Sequence, residues 1–110
     1  MLNPAMFDFH STSGDLRIQV DVASFDASNV DQFRVDFEKL CPDELDSVNV
    51  DLAKVEMIDS SAIGALLSVH RRLNGHGPIS IQNPRPSVLS VIELLRLHRV
   101  FHIAVGEEAA

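Results

Sequence analysis

Val48-Asn49-Val50-Asp51-Leu52, then Val55-Glu56-Met57-Ile58-Asp59-Ser60-Ser61-Ala62-Ile63-Gly64-Ala65-Leu66-Leu67, is the stretch on which the reading of this chain turns. Val48, Val50 and Leu52 alternate with polar residues, the pattern of a strand with one buried face. From Ser60 the apolar positions take helical spacing instead. Ile63, Leu66, Leu67, His70 and Leu73 fall on one side of a helix predicted over Ser60–Asn74, and Gly75-His76-Gly77-Pro78 stops it. An acid and two hydroxyls open that helix, where the first N–H groups lack internal partners and Asp or Ser oxygens accept from them. Taken alone, Asp59-Ser60-Ser61 is a good N-cap. Gly64 asks for more, because a glycine inside a helix costs about 1 kcal/mol relative to alanine. With Ser61, Ala65 and Ser68 it leaves a smooth strip on the side away from the apolar stripe. Either another backbone of the same domain packs there or a partner does.

Upstream, Phe7 and Phe9 suggest a first strand and Ser13-Gly14-Asp15 a turn. Leu16, Ile18, Val20 and Val22 alternate with polar residues as a second strand, so the two make a hairpin. Ser28 is placed to cap a helix with the stripe Val30, Phe33, Phe37 and Leu40, which Cys41-Pro42 ends. Downstream, Ile79 and Ile81 mark a strand and Asn83-Pro84-Arg85-Pro86 a rigid loop. Ser87 is placed to cap a helix reaching about His98, and Phe101, Ile103 and Val105 form a last strand. The order is β-β-α-β-α-β-α-β. Strands joined through helices need right-handed crossovers, so the sheet should be mixed and mostly parallel. Alternation rather than continuous apolar runs places the helices mainly on one face. The expectation is a single two-layer α/β domain over 1–110, its core about 6–105.

The 110 residues carry 9 Lys+Arg against 16 Asp+Glu, a net charge of -7, with no Trp or Tyr. That balance argues against a phosphate-neutralising nucleic-acid binder. No apolar run approaches the roughly 20 residues of a membrane span, so no membrane insertion is expected. Residues 1–12 hold no basic n-region or apolar h-region, and one cysteine forbids an intrachain disulfide; together these point to the cytoplasm. The charge is uneven: residues 1–59 hold 13 acids and 4 bases, residues 60–110 hold 3 acids and 5 bases.

The Asp59–Gly64 segment resembles the STAS domain family, and within it the bacterial anti-sigma-factor antagonists. The hallmark there is a strand, a short loop and Asp-Ser-Ser/Thr-Gly-Leu-Gly opening a helix; here it stands as Asp59-Ser60-Ser61-Ala62-Ile63-Gly64. Ala23-Ser24-Phe25-Asp26 occupies the place of a Gly-x-Leu-Asp turn, and Val88–Leu95 with Phe101-His102-Ile103 looks like the final helix and strand. Ala62 and Ala23 each replace a glycine at positions that often lie on the partner surface. Five residues follow Val105, fewer than the long closing helix of many relatives needs.

The resemblance implies an antagonist that binds an anti-sigma factor with serine kinase activity. That kinase phosphorylates Ser60, and a PP2C-type phosphatase removes the phosphate. Ser61 is then the second hydroxyl and Asp59 the preceding acid. Asp26, Asp59, Ser60, Ser61, Ala62, Gly64, Ala65 and Ser68 are the implied partner contacts. No cofactor is implied, since ATP belongs to the kinase. STAS domains also serve as accessory subunits of ABC-type lipid transporters, where they clasp the ATPase without phosphorylation, and that alternative stands beside the first.

Other constellations say less. His98 and His102 are four apart but split between helix and strand, His70 lies on an apolar helix side, and His76 sits in a glycine loop, so no metal set is expected. Ser60 lacks the flanking glycines of a nucleophile elbow, which makes it a substrate rather than a nucleophile and the chain no enzyme. Cys41 reads as a passive thiol.

Overall fold

The computed structural model describes residues 5–73, 75 and 77–105. The predicted helix end at Asn74, and His76, lie outside the described residues. Its elements run β1 (Phe7–Thr12), β2 (Asp15–Val20), β3 (Ser24–Phe25), α1 (Val30–Leu40), β4 (Ser47–Asp51), β5 (Met57–Ile58), α2 (Ser60–Arg72), β6 (Ser80–Gln82), α3 (Pro86–Leu94), a turn of 3-10 helix (Leu97–Arg99) and β7 (His102–Ala104).

β1 and β2 are antiparallel, from Phe7 opposite Val20 to Thr12 opposite Asp15. Ser13 and Gly14 join them with φ of 52° and 88°, the double left-handed turn that matches strand twist. Gly14 is needed twice over: its φ of 88° is one that L side chains rarely adopt, and a Cβ there would lie 2.5 Å from Asp46 Oδ2. The remaining ladders, β2–β4, β4–β6 and β6–β7, are parallel, giving a five-stranded sheet ordered β1-β2-β4-β6-β7. The mixed, mostly parallel sheet is the one expected.

Alternation works as the pleat requires. Leu16, Ile18, Val20, Val48, Val50 and Ile81 are buried in the cluster that also holds the inner faces of the helices. Arg17, Gln19, Asn49, Asp51 and Gln82 line a shallow depression on the sheet. Gln82 Nε2 donates to Asn49 Oδ1 at 3.1 Å, which satisfies an amide that is otherwise buried. Phe33 of α1 sits among the rings of Phe7, Phe9, Phe25 and Phe37, with centroids 5.2 to 6.5 Å away.

Several details differ from the sequence-based expectation, beginning with the short strands β3 and β5, which it did not contain, and the last strand, which ends at Ala104 and leaves Val105 exposed. Ser28 does not cap α1: the N-cap is Asn29, and the Ser28 hydroxyl and N–H turn back to Asp26 instead. Ser87 does not cap α3, which starts from Arg85 with Pro86 at its first position, while Ser87 Oγ donates to the Glu56 carbonyl at 2.7 Å. α3 ends at Leu94 rather than near His98, because Arg96 takes a left-handed conformation (φ 59°) that no helix continues through. The buried face of α2 is Ala62, Ile63, Ala65, Leu66 and Val69, with Leu73 just beyond it. Leu67 and His70 are only half-buried. Small side chains let this helix lie close over the core, and its buried face is turned toward Ala62 and Ala65.

Candidate functional site

Two strands of two residues each build the site. Ser24-Phe25 and Met57-Ile58 pair in parallel as a separate ribbon, with Phe25 beside Ile58. Such a short ladder has little strength of its own, so its anchors matter. Phe25 and Ile58 both point into the core, and Glu56 N–H and Met57 N–H donate to the Ala23 carbonyl at 2.6 and 3.1 Å. The ribbon delivers two chain segments, 23–29 and 56–62, to one end of the domain. Ala23, Ala27, Ser28, Met57 and Ser60 are all exposed there.

Asp59 ties the two segments together. It is the N-cap of α2: its backbone is extended, Oδ1 accepts from Ala62 N–H at 3.0 Å, and its carbonyl accepts the first helical bond from Ile63 N–H. Its second oxygen, Oδ2, accepts from Ala27 N–H at 3.1 Å, across 32 residues of sequence. Both carboxylate oxygens are thus committed to backbone donors. Asp26 has a matching local task. It accepts from the Ser28 hydroxyl and N–H and from Ser24 Oγ at 2.7 Å. These bonds, the Ser28 hydroxyl first, hold its carboxyl below the usual range. Asn29 closes the turn, accepting from Asp26 N–H and donating to the Ser24 carbonyl at 2.8 Å.

The expected partner contacts separate into three groups. Ser60 is exposed at the first position of α2, while Asp59 before it and Asp26 across the ribbon are half-buried. Ser61, Gly64 and Ser68 form a half-exposed row down α2. Ala62 and Ala65 do not belong to the surface: they are 0% and 1% exposed and pack in the core, so neither side chain is open to a partner. The row beyond Ser61 faces a side chain of α1. Arg34 Nη1 donates to Ser68 Oγ at 3.2 Å, and a Cβ on Gly64 would lie 3.8 Å from Arg34 Nη2. That spacing is ordinary contact, so the intact fold does not require glycine at 64.

Met57, 67% exposed two residues before the Asp59 cap, was not among the expected site residues. Neither was Ala27, whose N–H completes Asp59. A two-residue strand leaves no periodicity to detect, although the apolar pair Met57-Ile58 between Glu56 and Asp59 breaks the alternation enough to be noticed. Among the described residues no three His, Cys, Asp or Glu side chains come together as a metal site would need. No helix among them is long and apolar enough to cross a membrane.

Solved structures with this fold include three instructive ones. The anti-sigma factor antagonist SpoIIAA in its unphosphorylated form is 23% identical, with a TM-score of 0.76 over 93% of this chain and 90% of that one. An anti-sigma factor antagonist from Mycobacterium paratuberculosis is 16% identical, TM-score 0.77, over 89% and 83%. The Bacillus cell fate determinant SpoIIAA in the phosphorylated form is 22% identical, TM-score 0.65, over 93% and 94%. No curated protein matches the chain in sequence. The profile of the STAS domain family matches residues 10–110, and with the strand–cap–helix turn at Asp59 in its expected place, the chain belongs to the STAS domain family.

Proposed function

We propose that this STAS domain is an anti-sigma-factor antagonist that works by partner switching. Unphosphorylated, it binds an anti-sigma factor that is also a serine kinase. Phosphorylation of Ser60 releases it, and a PP2C-type phosphatase restores it. The observation that carries this reading is the exposed Ser60 at the first position of α2, directly after the Asp59 carboxylate that is fixed by two backbone N–H groups. A structural relative has been solved in unphosphorylated and phosphorylated forms, which supports a phosphorylation-controlled role for such a domain.

The electrostatics favour a switch in binding over a switch in fold. A phosphate on Ser60 adds about -1.5 to -2 charges at neutral pH. The helix N-terminus tolerates that charge, so the domain stays folded. A partner surface fitted to a neutral hydroxyl beside Asp59 meets like charge instead, at a cost of several kcal/mol. Ser60 acts as the acceptor of phosphate and not as a nucleophile. Asp59 has a structural task, its oxygens accepting from the Ala62 and Ala27 N–H groups.

The test is an affinity pulldown with native, Ser60→Ala and Ser60→Asp forms, alongside mass spectrometry of the protein from its own cells. The expected result is capture of an anti-sigma factor by the native and Ser60→Ala forms and at least hundredfold weaker capture by Ser60→Asp, with phosphate mapped to Ser60. Equal capture of an ABC-type ATPase by all three forms, with no phosphate on Ser60, would overturn the reading.

A further inference from the structure

Arg34 of α1 and Arg71 of α2 converge on a single atom. Arg34 Nη1 and Arg71 Nη2 lie 3.2 and 3.1 Å from Ser68 Oγ, whose own proton goes to the Gly64 carbonyl at 3.0 Å. The hydroxyl is therefore saturated, with both acceptor positions and its donor in use. The guanidiniums are not. Each carries five N–H donors, and among the described residues neither has a carboxylate partner. Nearby Glu38 is engaged elsewhere, with Arg72 at 3.4 Å, and Arg72 lies over the Phe37 ring. Each guanidinium keeps N–H donors that Ser68 does not use, and an anion is the group that matches them.

A cleft of about 330 Å³ opens beside Arg34 and Ser68, between α1 and α2. Phe33, Phe37, Ala65 and Val69 are buried and form its floor, while Arg34 and Ser68 stand on its wall with the Glu38–Arg72 ion pair, whose carboxylate is already matched by its own cation. The combination is a charged clamp next to an apolar slot, at the small end of the size range for small-molecule sites.

We propose that Arg34, Ser68 and Arg71 form a binding site for a small phosphate ester, its phosphoryl group held between the two guanidiniums and its organic part lying in the α1–α2 cleft. A phosphate dianion matches two cations, where a carboxylate leaves one unmatched, and guanidinium forks suit phosphoryl oxygens bidentately. The site is independent of Ser60, eight residues and about 12 Å away along α2. It leaves phosphorylation there untouched, and occupancy ties α1 to α2.

The experiment follows the arginine side-chain Nε–H signals by NMR as the protein is titrated with inorganic phosphate, phenyl phosphate or, as an ionic-strength control, sodium chloride. Saturable shifts of Arg34 and Arg71 with both phosphates are expected. Phenyl phosphate should bind about tenfold more tightly, because its ring covers apolar surface in the cleft. Arg34→Gln and Arg71→Gln should each weaken binding at least tenfold. Arg34→Lys, which keeps the charge and loses the fork, should weaken it while the backbone spectrum stays native. Equal affinity for the two phosphates overturns the ester and assigns the site to free phosphate. Shifts that sodium chloride reproduces, or that survive in the Arg34→Gln/Arg71→Gln double variant, overturn the site itself.

Discussion

The five-stranded sheet and the β3–β5 ribbon are both β-structure, yet opposite forces hold them. In the sheet, Leu16, Ile18, Val50 and Ile81 are all but sealed from water, and apolar burial does most of the work. The ribbon has one buried residue per strand, and beyond those its geometry depends on Asp59, Asp26, Asn29 and Ser87 binding backbone or neighbouring hydroxyl groups. Burial is non-directional, whereas hydrogen bonds fix donor and acceptor in distance and angle. The ribbon end is therefore built from the second kind of force, on a frame built from the first, as the proposed presentation of Ser60 would require.

That contrast predicts how each region fails. The largest effect belongs to the sheet: Ile81→Ala should cost about 3 to 4 kcal/mol in urea unfolding, and a loss under 1 kcal/mol would mean that the sheet is not the frame. Asp59→Ala should cost about 1 to 2 kcal/mol, through the cap and the bond to Ala27. Its NMR shift changes should appear at residues 23–29 as well as in α2, and changes confined to α2 would separate the two segments. Gly64→Ala should stabilise the free domain by about 1 kcal/mol in thermal unfolding, because the new methyl meets only Arg34 at 3.8 Å. A destabilised variant would reveal a packing need for glycine. The smallest effect is the pH dependence of Asp26. Its carboxyl is held low in the folded state, so the stability it adds is present above the ordinary carboxylate range and is lost as pH falls through the lowered value. Asp26→Asn should flatten that part of the acid unfolding curve, and an unchanged curve would remove Asp26 from the turn's stability.

The same division explains what could be read from the amino acids. Strands with a buried face, such as Leu16–Val20 and Val48–Leu52, announce themselves through alternation, and Asp59 marks the start of α2 because a cap followed by an apolar stripe is a local signal. The rotation of α2 was harder. Leu67 and His70 fit the stripe by hydropathy, but the core takes Ala62 and Ala65, whose small size decides how closely the helix approaches. The α1 cap went to Asn29 because Ser28 has a competing acceptor in Asp26, and α3 stopped where Arg96 turned left-handed. The ribbon left no pattern. Two residues per strand carry no period, and the partner of Ser24-Phe25 lies more than thirty residues away.

That separation bears on when the surface comes into being. Parallel pairing between distant segments closes a long loop for very few bonds, so it forms only after longer-range burial has brought the ends together. A nascent or partly unfolded chain contains Ser60 but lacks the juxtaposition of Ala27, Asp59 and Met57 around it. Any binder that reads both segments at once reads folding as well as sequence, and an incomplete chain does not compete for it.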